Sequence, residues 1–246
     1  MNAVNVPPDE VGDSSIHSPS APQGAPKTPS PVNAGETHHV KPLMRGWIHL
    51  VSAVVLVACS PILIVRATTW PQVGWVLCYV VGVFAMMATS ALYHRINWSA
   101  PARRAWRRAD HSTIFLAITG SYLAIAGLTM HGTIRLVLLL VIGAGAAVGI
   151  VIRQLTMDTP KWVNSAPYIV VGWAAVGVMP QIYRGGGPLC FTLVVVGGLA
   201  YTTGAVFFGA KRPRLAPRVF GYHELFHACT VLGAALTFWA LAVALR

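Results

Sequence analysis

The chain has 246 residues, of which 55% are apolar and only 10% are charged. Soluble domains carry roughly one quarter charged residues, so this composition excludes an ordinary water-soluble globule. The 18 Lys and Arg outnumber the 7 Asp and Glu and give a formal charge of +11. Because the charges lie between long apolar runs, they indicate the loops of a membrane protein rather than a nucleic-acid-binding surface.

The first forty residues are a compositionally separate segment, rich in Pro, Ser, Asn, Gly and Ala. Such a segment buries too little apolar surface to offset the entropy of ordering it. It also lacks the basic start and the continuous apolar run of a secretory signal. We therefore expect residues 1–40 to form a disordered cytoplasmic tail, with His38 and His39 solvated, and residues 41–246 to form a transmembrane domain.

Seven apolar windows follow the tail, each near the roughly 20 residues that a helix needs to cross a bilayer. Backbone groups find no water in lipid, so the windows predict helices and an all-α, seven-span fold. Their approximate bounds are 46–66, 72–94, 111–130, 134–154, 163–181, 188–209 and 223–245. The fifth window is the weakest, because Pro167 and Pro180 lie near its ends. Small residues such as Gly149, Gly198 and Gly204 predict close helix packing in the fourth and sixth windows.

Positive charge predicts the orientation of these helices, because Lys and Arg accumulate in short cytoplasmic loops. Thirteen bases lie in the alternate connections on the side of the N-terminus, and four lie in the other connections. We therefore expect a cytoplasmic N-terminus and an extracytoplasmic C-terminus. The densest basic stretch, residues 95–108, holds five arginines with Trp98 and Trp106 and predicts a loop that contacts anionic lipid headgroups.

Ionisable side chains at membrane depth are costly and are therefore candidates for function. After residue 40 the chain has three acids and six histidines. Most of them fall at the cytoplasmic ends of four predicted helices: His49, His94, Asp110 with His111, and the group at 223–227. Four segments that are distant in sequence thus bring scarce ionisable groups to one depth, which indicates a common site.

The spacing within these segments predicts a metal site. His223 and His227 are four residues apart and share one face of a helix, and Ser90 and His94 have the same spacing. Three imidazoles with an open fourth position form the ligand set of a catalytic zinc site. Zinc suits imidazole ligands best, with iron and copper as alternatives. We expect His94, His223 and His227 to bind Zn2+, with Ser90 and Asp110 as catalytic residues beside them.

Several of these residues have alternative interpretations. His49 is either an outer partner of the site or an interface residue, and Asp110 either joins the site or caps the third helix. The residues at 223–227 also fit H-E-x-x-H, the metalloprotease pattern in which Glu224 would be the general base. Residues 228–246 contain no His, Asp or Glu to supply a third ligand. We therefore expect Glu224 to be an outer partner of the site or of loop arginines.

Together the motifs resemble the hemolysin III branch of the PAQR (progestin and adipoQ receptor) family, seven-span proteins related to alkaline ceramidases. The resemblance covers about residues 41–246 and rests on SALYH at 90–94, the arginine-rich segment leading to Asp110, and GYHELFH at 221–227. The resemblance implies that His94, His223 and His227 bind zinc and that Asp110 and Ser90 lie beside the metal. A Glu and an Asn usually precede the first-helix histidine in the family, and this chain has KPLMRGWIH at 41–49 instead.

These observations favour one function over two others. Zinc on three histidines generates hydroxide near neutral pH and polarises a carbonyl. A cavity among helices near the headgroups admits an amphiphile, so the first hypothesis is zinc-dependent hydrolysis of a lipid amide or ester, with a membrane lipid as substrate or ligand. The alternatives are a cytolytic, pore-forming protein, and a receptor-like sensor with structural zinc. The windows have no continuous polar stripe, which argues against a wide pore.

Overall fold

A computed structural model of the chain describes residues 42–155, 161–213, 215–216 and 219–245. For residues 161–166 it describes the backbone alone. The expected disordered tail, residues 1–40, lies outside the described residues. The regular structure within them is helical, apart from one isolated bridge between Ala216 and Phe220. The chain is thus all-α in the part that the structure describes, as the apolar windows predict.

Seven α-helices follow one another along the described chain. Their bounds are α1 Trp47–Arg66, α2 Trp70–Arg95, α3 Ala100–Thr129, α4 Gly132–Leu155, α5 Lys161–Trp173, α6 Met179–Ala210 and α7 Tyr222–Ala244. A short 3-10 helix, Ala174–Val178, joins α5 to α6. The first, second, fourth and seventh windows therefore match helices to within about two residues.

Six helical stretches among the described residues are long and apolar enough to cross a membrane. Five of them are α1, α2, α3, α4 and α7, and the sixth is the stretch Pro167–Ala210. In α1 only 22% of the apolar window is buried against protein, and side chains such as Val54 and Val65 point outward. An apolar outer surface of this kind is stable in lipid and not in water.

Helix α3 begins earlier than its apolar window predicts. The window starts at residue 111, whereas the helix starts at Ala100 with Pro101 in its first turn. The connection to α2 is accordingly only residues 96–99, and most of the expected basic loop is helical. Arginine and alanine are good helix formers, but an apolar window detects only the part of a helix that lies in lipid.

The fifth and sixth windows fall within one 44-residue stretch, Pro167–Ala210. Pro180 does not end a helix, because it occupies the first turn of α6, where a missing N–H costs nothing. The interruption lies instead at Gly187, whose φ of 79° and ψ of 174° are not helical. Glycine reaches this backbone conformation without strain, and Pro188 follows it directly.

The chain from α5 into α6 runs alongside α3 in the same direction. The Tyr168 hydroxyl donates to the carbonyl of His111 at 3.1 Å. Further along, Gly185 packs against the backbone of Thr129, the last residue of α3, so closely that a Cβ would not fit. Tyr168 therefore contacts α3 eighteen residues before the point that Gly185 contacts, at the last residue of the helix.

Glycines allow the central helices to approach closely. Gly82 and Gly120 place α2 and α3 backbone to backbone, and Gly149 of α4 packs against the ring of Phe115. Gly204 in α6 contacts Cys229 in α7, as the small-residue pattern predicts, whereas Gly198 faces open space. The four cysteines, Cys59, Cys78, Cys190 and Cys229, are all free.

Candidate metal centre

Three histidines from two helices meet at one end of the bundle. His94 lies in the last turn of α2, and His223 and His227 lie in the first turns of α7. One ring nitrogen of each comes within 4.8 Å of one nitrogen of each of the others. His94 and His227 are buried, and His223 is partly exposed. We call the end of the bundle that carries them, where α2 ends and α1 and α7 begin, the histidine end.

The geometry of this cluster fits a metal ion. The Nε2 atoms of His94 and His223 are 3.3 Å apart. Two nitrogens bound to one tetrahedral zinc at about 2.0–2.1 Å would stand about 3.3 Å apart, so the observed separation already matches. Nε2 of His227 is buried and has no hydrogen-bond partner among the described residues. A buried polar atom without a partner is costly, and a metal bond would satisfy it.

His49 is in direct contact with the cluster. Its Nε2 lies 3.1 Å from Nδ1 of His227, with the two rings nearly perpendicular at 77°. It can come this close because α1 starts directly beside α2, at Gly46. That residue has a positive φ of 79°, and a side chain there would collide with Arg95 and His94. His49 is therefore buried at the site rather than at an interface with headgroups.

Asp110 and Ser90 lie on the wall of the same cavity as the histidines. Asp110 is the eleventh residue of α3, so the alternative that it caps the start of this helix is wrong. Ser90 stands one turn before His94 on α2, and its buried hydroxyl interacts with the side chain of Asp110 on α3. The structure thus brings both residues to the cavity that the three histidines line.

Glu224 has a different environment from its histidine neighbours. Its Oε1 accepts a hydrogen bond from Nε of Arg45 at 2.8 Å, and its Oε2 accepts one from the backbone N–H of Gly221 at 2.9 Å. The carboxylate therefore ties the start of α7 to the segment before α1. It does not line the cavity. This geometry disfavours the metalloprotease alternative, in which Glu224 must reach an attacking water.

The cavity beside the histidines has a volume of about 410 Å³ and is mostly apolar. Its histidines and its carboxyl group lie at the histidine end, and hydroxyl groups such as those of Ser121 and Thr237 also line the cavity. Its opposite end, which we call the far end, is lined by side chains such as Met130, Leu138 and Ile182. Of the other histidines, His111 also lines the cavity and bonds through Nδ1 to the carbonyl of Arg107, and His131 is exposed beyond the end of α3.

Phe208 also belongs to this site, although nothing in the sequence distinguishes it from other apolar residues of the sixth window. Its ring centroid lies 5.4 Å from that of His223 and 5.1 Å from that of Phe226. It lines the cavity next to the histidines. Only the return of α6 to the histidine end reveals this contact, and no spacing in the sequence encodes it.

The fold and the site define a multi-pass membrane protein with a three-histidine cluster at one end of an apolar cavity. Residues 37–238 match the family model described as Haemolysin-III related, and the chain belongs to this family. The resemblance drawn from the motifs is thereby confirmed.

Two curated relatives agree with this assignment. The chain is 26% identical to Hemolysin-3 of Bacillus cereus over 196 residues, which are 78% of this chain and 86% of the relative. It is 23% identical to the Hemolysin-3 homolog of Bacillus subtilis (strain 168) over 174 residues, which are 71% of this chain and 78% of the relative. In both cases the similarity spans most of the two proteins.

Proposed function

We propose that the protein is a zinc-dependent hydrolase of a lipid amide or ester. The observation that carries this proposal is the position of the three histidines on the wall of a mostly apolar cavity of about 410 Å³. Ligand sites are typically apolar pockets with a few convergent polar groups. The polar head of a lipid, with its scissile carbonyl, suits the histidine end, and its hydrocarbon chain suits the rest of the cavity.

The residues of the site then have separate roles. When bound by His94, His223 and His227, zinc supplies a Lewis acid and lowers the pKa of water to about 7. Asp110 accepts a proton from the attacking water and transfers it to the leaving amine or alcohol. Ser90, whose hydroxyl lies beside Asp110 on the cavity wall, donates to the negative charge that develops on the carbonyl oxygen.

We further infer that the domain crosses the membrane seven times. The chain runs along α3 from Tyr168 to Gly185, and α6 then returns, since Phe208 packs against His223 at the histidine end. This path supports two crossings within Pro167–Ala210, because a straight helix of 44 residues would be about 66 Å long, twice the bilayer core of about 30 Å. The excess of basic residues at the histidine end supports a cytoplasmic N-terminus.

Cytolysis is the second candidate, and the name of the Bacillus cereus relative, Hemolysin-3, favours it. The cavity gives it less support, because its lining is mostly apolar and a conduction path needs polar groups throughout. A sensor with structural zinc is the third candidate. It requires the metal but no turnover.

Turnover by the purified, zinc-loaded protein separates these functions. We expect release of fatty acid from long-chain lipid amides or esters in detergent micelles, and a 100- to 10,000-fold lower kcat for Asp110→Asn, about the contribution of a general base. Zinc content should not change in Asp110→Asn, and His131→Ala is the control with wild-type turnover. A zinc-loaded wild type that cleaves neither amides nor esters would contradict the hydrolase and favour the sensor. Ion flux through liposomes that persists under chelation would favour the pore.

A further inference from the structure

In the hydrogen bond between His49 and His227, metal binding determines which ring is the donor and which is the acceptor. Nε2 of His49 and Nδ1 of His227 are 3.1 Å apart, and both rings are buried. Two ring nitrogens at this distance share one hydrogen, which one of them donates and the other accepts. The other nitrogen of His227, Nε2, is the buried atom without a hydrogen-bond partner among the described residues.

Only one of the two directions is compatible with a metal on His227. If His49 donates, neutral His227 accepts at Nδ1 and carries its own hydrogen on Nε2, which blocks a bond to a metal there. If His227 donates from Nδ1, its Nε2 carries a lone pair and can bind the metal. Metal binding therefore requires that His49 be the acceptor.

The start of α1 holds His49 in the position that this role requires. Gly46 lets α1 start against the last turn of α2, and the guanidinium of Arg95 lies 3.6 Å above the ring of Trp47. Arg45 pairs with Glu224 at the start of α7. The helix that carries His49 is thus attached to both helices that carry the three-histidine cluster.

We propose that His49 is a positioning residue of the metal centre: its Nε2 accepts the Nδ1 hydrogen of His227 and so fixes the ring orientation and the tautomer in which His227 binds the metal. The proposal rests on the proposed function for the identity of the metal. Metal-binding histidines generally donate their second N–H to a carboxylate, a carbonyl or water, and here a neutral imidazole takes that place. His49 has this positioning role even though the chain lacks the Glu and the Asn that usually precede the first-helix histidine in the family.

The test uses two substitutions of nearly equal size and shape. Glutamine at position 49 keeps an oxygen that can accept the hydrogen bond, and methionine fills the same space with at most a weak acceptor. Zinc affinity is measured on the full, detergent-solubilised chain by competition with a chromogenic chelator. We expect His49→Met to bind zinc about 10- to 100-fold more weakly than wild type, the usual cost of losing such a partner. His49→Gln should recover most of the affinity, and His131→Met, at the opposite end of α3, should match wild type.

Thermal unfolding of the metal-free variants separates positioning from folding. His49→Met and His49→Gln should unfold at similar temperatures without metal and differ only when zinc is present. Equal zinc affinities of His49→Met and wild type, or equal losses in both position-49 variants, would overturn the inference and leave the proposed function intact. A wild-type protein that binds no zinc would overturn both.

Discussion

The two ends of the cavity differ in chemistry and are formed by different parts of one helical bundle. At the histidine end, α2 and α7 contribute the three-histidine cluster, α3 contributes Asp110, and α1 contributes His49. At the far end the same bundle presents side chains such as Met130, Leu138 and Ile182. Ionisable groups in a membrane are costly, so their restriction to one end indicates that reactive chemistry belongs there. Under the proposed function, the far end holds the hydrocarbon chain of the lipid.

After Asp110→Asn, the largest effect is expected at Ser90, which also lies on the histidine end. Ser90→Ala removes a hydroxyl that, under the proposed mechanism, donates to the developing negative charge. We expect kcat to fall about 100- to 1,000-fold, the usual cost of one such donor, with zinc content unchanged. Ser60→Ala is the matched control, because the Ser60 hydroxyl is bonded to the carbonyl of Val57 in α1. Equal activities of the two variants would remove Ser90 from the mechanism.

A smaller effect is expected toward the far end, at Ala126. This residue is buried in α3 and lines the cavity. Ala126→Phe would fill the space meant for the hydrocarbon chain. We expect the ratio of kcat/KM for long-chain over short-chain substrates to fall about tenfold or more, while zinc affinity stays at the wild-type value. Leu140→Phe, at an exposed position on α4, should leave the ratio unchanged. A loss of zinc in Ala126→Phe would contradict the division between the two ends.

The smallest effect is expected from the ion pair between Arg45 and Glu224. The buried Glu224 carboxylate accepts hydrogen bonds from Arg45 and from the N–H of Gly221, and Arg45→Ala removes the first of them. An under-satisfied buried group of this kind costs about 1–3 kcal/mol. Thermal unfolding in detergent should therefore begin several degrees lower, while zinc content and kcat change little. A loss of turnover at unchanged stability would instead assign Glu224 a role in the reaction.

The sequence predicts the spans better than it predicts their ends. α1, α2, α4 and α7 match their apolar windows because lipid-facing helices need continuous apolar runs. The first eleven residues of α3, Ala100–Asp110, lie outside its window because an arginine-rich helix in contact with water resembles a loop in an apolar profile. The interruption at Gly187 falls between the fifth and sixth windows. The apolar content of these two windows does not specify the backbone conformation of the residues that join them.

The candidate site was predictable where spacing encodes it. His223 and His227 are one turn apart on one helix, and His94 lies in the last turn of α2 at the same end of the bundle. The contact of His49 with His227 depends on how closely α1 approaches α2 and α7, which Gly46 permits but no periodicity specifies. Phe208 reaches the site only because α6 returns to the histidine end.

The most direct test of the metal centre is the zinc content of the purified protein, measured by mass spectrometry on the wild type and on His223→Ala/His227→Ala. We expect about one zinc per wild-type chain and none in the double variant, because the variant leaves His94 as the last ligand of the three-histidine cluster. His131→Ala, which removes an exposed imidazole outside the cavity, should keep its zinc. A folded wild-type protein without metal after zinc loading would contradict the account.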